Sequence, residues 1–425
     1  MSIRFIALVT TLLALAPSTS WSQAGGDSEA RWTIVHAGTI LPVPGQPPLS
    51  EQSLVIEGDR IDRIVAGYAT ADSLGLDGGA DITVIDLREY FVLPGLMDMH
   101  VHLTGGGAPA GMPDEADDVY RMTTGIINAR LTLRAGYTTV RNPGSAGWSI
   151  FALRDGVEAG DLEGPRMFVA GHTIRSSASD GSGSCYSVES CRQAVRRQIA
   201  MGADVIKVYA TCSGSQPCAH KDAPGVFLED ELAAAIATAR TRELKVAAHA
   251  HTTAGINMAL EAGVDSIEHG SWLDERSYEL LVETGAYLVP TLAVKDFVRA
   301  GLAERSPEDR ARLEASINEH PRRVFEAFQA GAKIASGSDA GVSRHGKNAR
   351  ELEWYVDIGL TEMEAIVTAT VNAADLLGEP ELGTLEAGKL ADVIAVSESP
   401  LENISALTDV DFVMKGGTVY VGLHP

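Results

Sequence analysis

Beyond residue 30 the chain alternates short β-rich runs with turn signals, as in "RWTIVHAGTILPVPG", "QSLVIEGDRIDRIVAG" and "ITVIDLREYFVLPG". Runs of this length broken by Gly and Pro predict small antiparallel strands. The far end repeats the pattern in "KLADVIAVSESPL" and "VDFVMKGGTVYVG". Between the two ends the pattern changes. Apolar runs at Met97–His102, Thr138–Val140, Arg166–Ala170, Val205–Ala210, Val246–Ala248, Ser266–Glu268, Tyr287–Pro290 and Ile334–Ser336 alternate with helical patterns such as "VESCRQAVRRQIAMGA" and "EDELAAAIATARTREL". Eight such βα units predict an α/β chain with a (β/α)8 TIM-like barrel over 94–378. The flanking strands, 29–93 and 379–425, are expected to join as a small β-sandwich domain built from both chain ends.

The N-terminus reads differently. Arg4 precedes an apolar stretch from Phe5 to Ala16, and small residues follow at Ser20 and Ser22. This order predicts a signal peptide over 1–22, cleaved near Ser22–Gln23, and export to the periplasm or medium. The stretch is short for a membrane span, and no later run reaches that length, so no membrane is expected in the mature form. A net charge of −23 argues against nucleic acid or an anionic membrane surface as partner. Export also changes how the four cysteines read. Cys185, Cys191, Cys212 and Cys218 are expected to form at least one disulfide, local and cross-loop pairing being equally open.

In a barrel, functional residues lie at the C-terminal ends of strands. His100 and His102 fall at the end of the first run and, two apart in a strand, would share a face. Lys207 lies within the fourth run, His249 ends the fifth, His269 the sixth, and Asp339 follows the eighth. An apolar strand rarely carries a buried ammonium. Burial makes a lysine easier to deprotonate, and a neutral amine can take up carbon dioxide to form an anionic, bridging carbamate. Neither a glycine-rich phosphate loop nor a nucleophile elbow is present, which leaves nucleotide binding and serine-hydrolase chemistry without support.

"PGLMDMHVHLTGG", "GADVIKVYA", "VAAHAHT", "SIEHGSW", "GSDAG" and "LGTLEAGKLADVIAV" resemble the amidohydrolase superfamily, in its binuclear, carboxylated-lysine branch of Xaa-Pro and Xaa-Arg dipeptidases and ochratoxin-hydrolysing enzymes. The resemblance covers nearly all of the mature chain. It implies two divalent metal ions, zinc as the expected metal. His100, His102 and Asp339 would hold one ion, His249 and His269 the other, and carbamylated Lys207 would bridge them. Asp339 would shuttle the proton. His251 is placed near the substrate, with a ligand role as the alternative. His172 and Tyr209 are candidate substrate contacts, each with a structural reading beside it.

The implied reaction is hydrolysis of a dipeptide or N-acyl amino acid amide bond, with release of a C-terminal amino acid, by a homo-oligomer. Two alternatives stay open: a mononuclear deaminase or imidazolone-type hydrolase, and an exported metal- or solute-binding protein. Two departures stand out. "TCSGSQPC" occupies the position of a glycine pair, and Ser338 replaces a threonine. His36, His220, His320 and His424 read as surface residues, and Arg344 with His345 as a solvated loop.

Overall fold

The structure, a computed structural model, describes residues 31–76, 81–105, 112, 114–178, 183–212 and 220–423. The expected signal segment, His424, Cys218 and most of "TCSGSQPC" therefore lie outside the described residues.

The N-terminal strands are β1 (Arg31–Ile40), β2 (Leu49–Glu57), β3 (Arg60–Ala66) and β4 (Asp81–Pro94). Next come β5 (Leu96–Asp98), β6 (Tyr137–Asn142) and β7 (Arg166–Val169), which form one parallel sheet. A short parallel pair follows, β8 (Arg175–Ser176) and β9 (Ser184–Cys185). A second parallel sheet takes β10 (Val205–Tyr209), β11 (Lys245–Ala250), β12 (Ser266–His269), β13 (Tyr287–Val289) and β14 (Lys333–Ile334), in that order. The chain closes with β15 (Val393–Val396), β16 (Phe412–Lys415) and β17 (Thr418–Val421).

All eight anticipated strand positions in the middle of the chain carry a strand, and backbone hydrogen bonds link the two parallel sheets at both seams. At one seam the Ile174 N–H donates to Lys207 O (2.7 Å) and the Tyr209 N–H to Ile174 O (2.9 Å). At the other, the Met99 N–H donates to Ser336 O and the Asp339 N–H to His100 O, both at 2.7 Å. The arrangement is TIM-barrel-like. The end strands are shorter than expected, however. β5 stops at Asp98 and β14 at Ile334, and only isolated pairing such as Val101 with Ala340 continues beyond them. His100 and His102 thus sit past a strand rather than on its pleat.

The two chain ends do meet. They form a single seven-stranded sheet, ordered β17-β16-β15-β4-β1-β2-β3, where a two-sheet sandwich was expected. Alternation along β15 explains its attachment. Val393 and Ala395 join a local cluster with Ile56, Leu87 and Met414, whereas Ile394 and Val396 enter the main core with Leu96 and Tyr137.

The helix Val188–Ala200 is tied to the short strand pair. Ser187 caps it, accepting from the Ser190 N–H, and Cys191 in its first turn is disulfide-bonded to Cys185 on β9. The local pairing is the one realised. Cys212 is also disulfide-bonded. No helix among the described residues is long and apolar enough to cross a membrane.

Candidate metal centre

Parallel registry sets Tyr209 beside His249, with Lys207 two residues below that level and His269 one residue above it. Lys207 pairs with Ala247, Tyr209 with His249 and Ala250 with His269 across β10, β11 and β12. At the ends of these strands the backbone turns sharply. His269, Thr291 and Asp339 have φ of 72°, 55° and 51°. Positive φ is costly for side-chain-bearing residues, above all a β-branched one, and is retained where the surroundings demand it. Two glycines leave room for close approach. A Cβ on Gly337 would lie 2.9 Å from His100 Cβ, and one on Gly341 (φ 123°) 2.7 Å from His102 Cβ.

His100, His102, Lys207, His249, His251, His269 and Asp339 line one cavity of about 370 Å³. Two groups within it have ligand atoms lying within 4.8 Å of one another: His100, His102 and Asp339, and His249, His251 and His269. His251 therefore falls among the potential ligands. The rings of His249 and His251 meet edge-on at 4.6 Å, and those of His251 and His269 stack at 4.8 Å.

Each imidazole is tied back by one nitrogen. Nδ1 of His100 bonds Glu268 (2.6 Å), Nδ1 of His102 faces Gly144 O (2.8 Å), and Nδ1 of His251 bonds Ser271 Oγ (2.7 Å). His269 Nδ1 bonds Thr291 Oγ1 (2.8 Å), while His249 uses Nε2 toward Cys212 O (3.2 Å). The second nitrogen of each ring is left for a ligand, as metal-binding histidines are arranged. Burial lowers the pKa of every ring, to about 3 for His100 and His251 and about 4 for His102. Neutral imidazoles are the form that binds metal.

Three residues lining this cavity carry a buried atom without a partner: Lys207, Asp339 and, behind His269, His320 at Nδ1. Lys207 Nζ makes no hydrogen bond, and Asp339 Oδ1 makes none although His102 and His100 Nε2 stand 3.4 and 3.8 Å away. Buried polar atoms are nearly always satisfied, so an orphaned carboxylate oxygen among imidazole lone pairs fits an absent cationic group, beside which the Lys207 amine fits only when uncharged. Burial lowers the Lys207 pKa to about 8 and raises that of Asp339 to about 7. Both groups are thereby moved toward their neutral forms.

Sequence reasoning passed over the residues behind this wall. Glu268 is fully buried between His100 and Arg141, whose guanidinium approaches at 2.7 Å. Burial alone would raise its pKa, but Arg141 and Lys207 hold it well below the carboxylate range. Asp98 accepts from Ser338 Oγ (2.5 Å) and Asn348 (2.7 Å), which gives Ser338 a structural task.

Two histidine expectations are overturned. His320 is 1% exposed, donating through Nε2 to His269 O (2.7 Å), because it falls on the buried stripe of its helix with Leu313, Ile317 and Val324. His345 packs behind His102, bonding Thr132 Oγ1 (3.1 Å) and facing His102 O (3.3 Å), whereas Arg344 is exposed. His36 bonds Ala69 O, and His220 is exposed. Tyr209 stacks on His249 (4.1 Å) beneath the Arg175 guanidinium (3.8 Å). It opens onto both the metal-side cavity and an adjoining one of about 530 Å³, where His172 accepts from the Gly147 N–H.

The amidohydrolase family profile matches residues 91–420. Ochratoxinase from Aspergillus niger is 33% identical, over 93% of this chain and 88% of its own length. A Xaa-Pro dipeptidase crystallised with methionine in its active site has a TM-score of 0.83 at 35% identity, covering 92% of this chain and 100% of that one. A prolidase complexed with N-methylphosphonate-L-proline has a TM-score of 0.82 at 28% identity, with the same coverage. The profile match and the relatives agree with the geometry of the cavity: the chain belongs to the amidohydrolase family, hydrolases of amide C–N bonds.

Proposed function

We propose that the chain is an exported, binuclear metal-dependent hydrolase that cleaves dipeptides or N-acyl amino acids and releases a C-terminal amino acid. The observation that carries this reading is the pair of histidine-rich groups facing two orphaned buried atoms, Lys207 Nζ and Asp339 Oδ1. His100, His102 and Asp339 would hold one divalent ion and His249 and His269 the other, zinc by our reading. Lys207, as a carbamate formed with carbon dioxide, would supply the shared anionic ligand. The eight strands then act as a (β/α)8 barrel over 94–378, with 29–93 and 379–425 as the accessory domain.

Bound there, the ions supply Lewis acidity toward the amide carbonyl and toward water. The protein does the rest. Asp339 would take a proton from the attacking water at a carboxylate oxygen and return it to the leaving nitrogen, which departs poorly as an anion. Tyr209 and His172, on the open side, contact the substrate. The position of His251 within the second histidine group favours a variant reading in which it is also a ligand. The Cys185–Cys191 disulfide and the N-terminal pattern support export, and we take the functional unit as a homo-oligomer.

A panel of dipeptides and N-acyl amino acids, assayed on metal-loaded protein with metal content measured alongside, tests the reading. Two ions per chain and turnover of at least one class are expected. One ion with turnover only of cyclic or amidine substrates would favour a deaminase-type enzyme. Bound metal without any turnover would indicate a binding protein.

A further inference from the structure

Opposite the histidines, the cavity wall is the helix Val294–Ala300, which follows β13, together with the buried face of the long helix Pro307–Gln329. This wall is apolar at Trp272, Val298, Leu313 and Ile317, and its polar members are Lys295, Ser316, His320, Arg312 and the exposed Arg305; of its three cations only Lys295 is buried. Lys295 is 8% exposed, and its Nζ has a single hydrogen bond, to Ser316 Oγ at 3.2 Å. No carboxylate lies within ion-pairing distance of it among the described residues. An ammonium enclosed this way is costly unless an anion completes it. A second polar atom on the same wall is also unmet. His320 donates through Nε2 to a carbonyl, which leaves Nδ1 as a bare acceptor with no partner. The wall therefore offers a buried cation held by one hydroxyl, with the Glu351 carboxylate acting on it only from beyond ion-pairing distance.

We infer that Lys295 is the anchor for the substrate's free C-terminal carboxylate, with the surrounding apolar wall taking an apolar C-terminal side chain. The inference rests on the hydrolase reading above and names the side chain that holds the terminal carboxylate of such substrates. The cavity volume of about 370 Å³ falls within the range of small-molecule sites. Lys295 lines the same cavity as Lys207 and Asp339, so a ligand anchored there shares the space of the reacting centre. Asp296, the next residue, is turned away into an ion pair with Arg350 (2.7 Å) and does not compete.

The test uses two small probes that differ at the carboxylate alone, L-methionine and L-methioninol, titrated calorimetrically into the metal-loaded full chain. The wild-type protein is expected to bind L-methionine at least about tenfold more tightly, the order of effect for a hydrogen bond to a charged group. Lys295→Met is expected to lose most of that preference, and Lys295→Arg to keep it. Equal binding of the two probes by the wild-type protein would overturn the inference. So would an undiminished preference in Lys295→Met with unchanged circular dichroism, which would place the carboxylate on the metals. Hydrolysis of the dipeptide panel is measured separately. Failure there counts against the hydrolase reading and leaves the carboxylate result interpretable.

Discussion

Glu268 holds three groups at once: His100 Nδ1 at 2.6 Å, Arg141 at 2.7 Å and Ser266 Oγ at 2.5 Å, all out of reach of solvent. Replacing it by Gln keeps the shape but leaves the Arg141 charge buried without its counter-ion. Breaking a buried pair in this way costs about 3–5 kcal/mol, and loss of a partner behind a metal-binding histidine weakens metal affinity roughly 10–100-fold. Denaturant unfolding and metal titration of Glu268→Gln should register both losses, and wild-type values in the two assays would contradict this role. Asp339 makes a second prediction at this scale. In the metal-free protein burial raises its pKa to about 7, above the unfolded value, so the folded state binds its proton more tightly. The stability this contributes is fully present below about pH 4 and lost as pH rises through about 7. Metal-free Asp339→Asn should lack that decline, as unfolding measured across this range would reveal.

The elements show what could be read in advance. Every strand of the two parallel sheets announced itself as an apolar run, and the residues singled out for chemistry line one cavity. The reach of the strands was less legible. Past Asp98 and Ile334 the backbone bends around Gly337 and Gly341, and no propensity marks where a ladder gives way to isolated bonds. His320 was misread for lack of one count: Leu313, Ile317, His320 and Val324 follow a 4-3-4 spacing, the signature of a buried helical stripe. Glu268 and Arg141 carried a fainter signal, one charged residue within a short strand, and their partnership spans 127 residues that only the fold brings together. The sheet built from both chain ends depends on the same long-range geometry. The close approach at Gly341 can be tested. A Cβ there would press on His102, and positive φ adds strain of about 1–3 kcal/mol. Gly341→Ala should bind metal more weakly and melt lower than wild type, whereas unchanged metal binding would mean that His102 does not depend on that contact.

At the scale of the molecule, the two parallel sheets and the seams between them bring residues from four separated stretches, near 100, 207, 249–269 and 339, to one cavity. The account turns on Lys207, the buried amine with no partner of its own. Its central claim is that this lysine, carbamylated, joins two metal ions. The direct measurement is the metal content per chain of Lys207→Ala beside wild type, purified and loaded identically, with folding verified by circular dichroism. The account predicts two ions in the wild-type chain and loss of most bound metal and of amide hydrolysis in the variant, with partial return of activity on adding a short carboxylic acid. A folded Lys207→Ala protein with full metal content and wild-type turnover would contradict it.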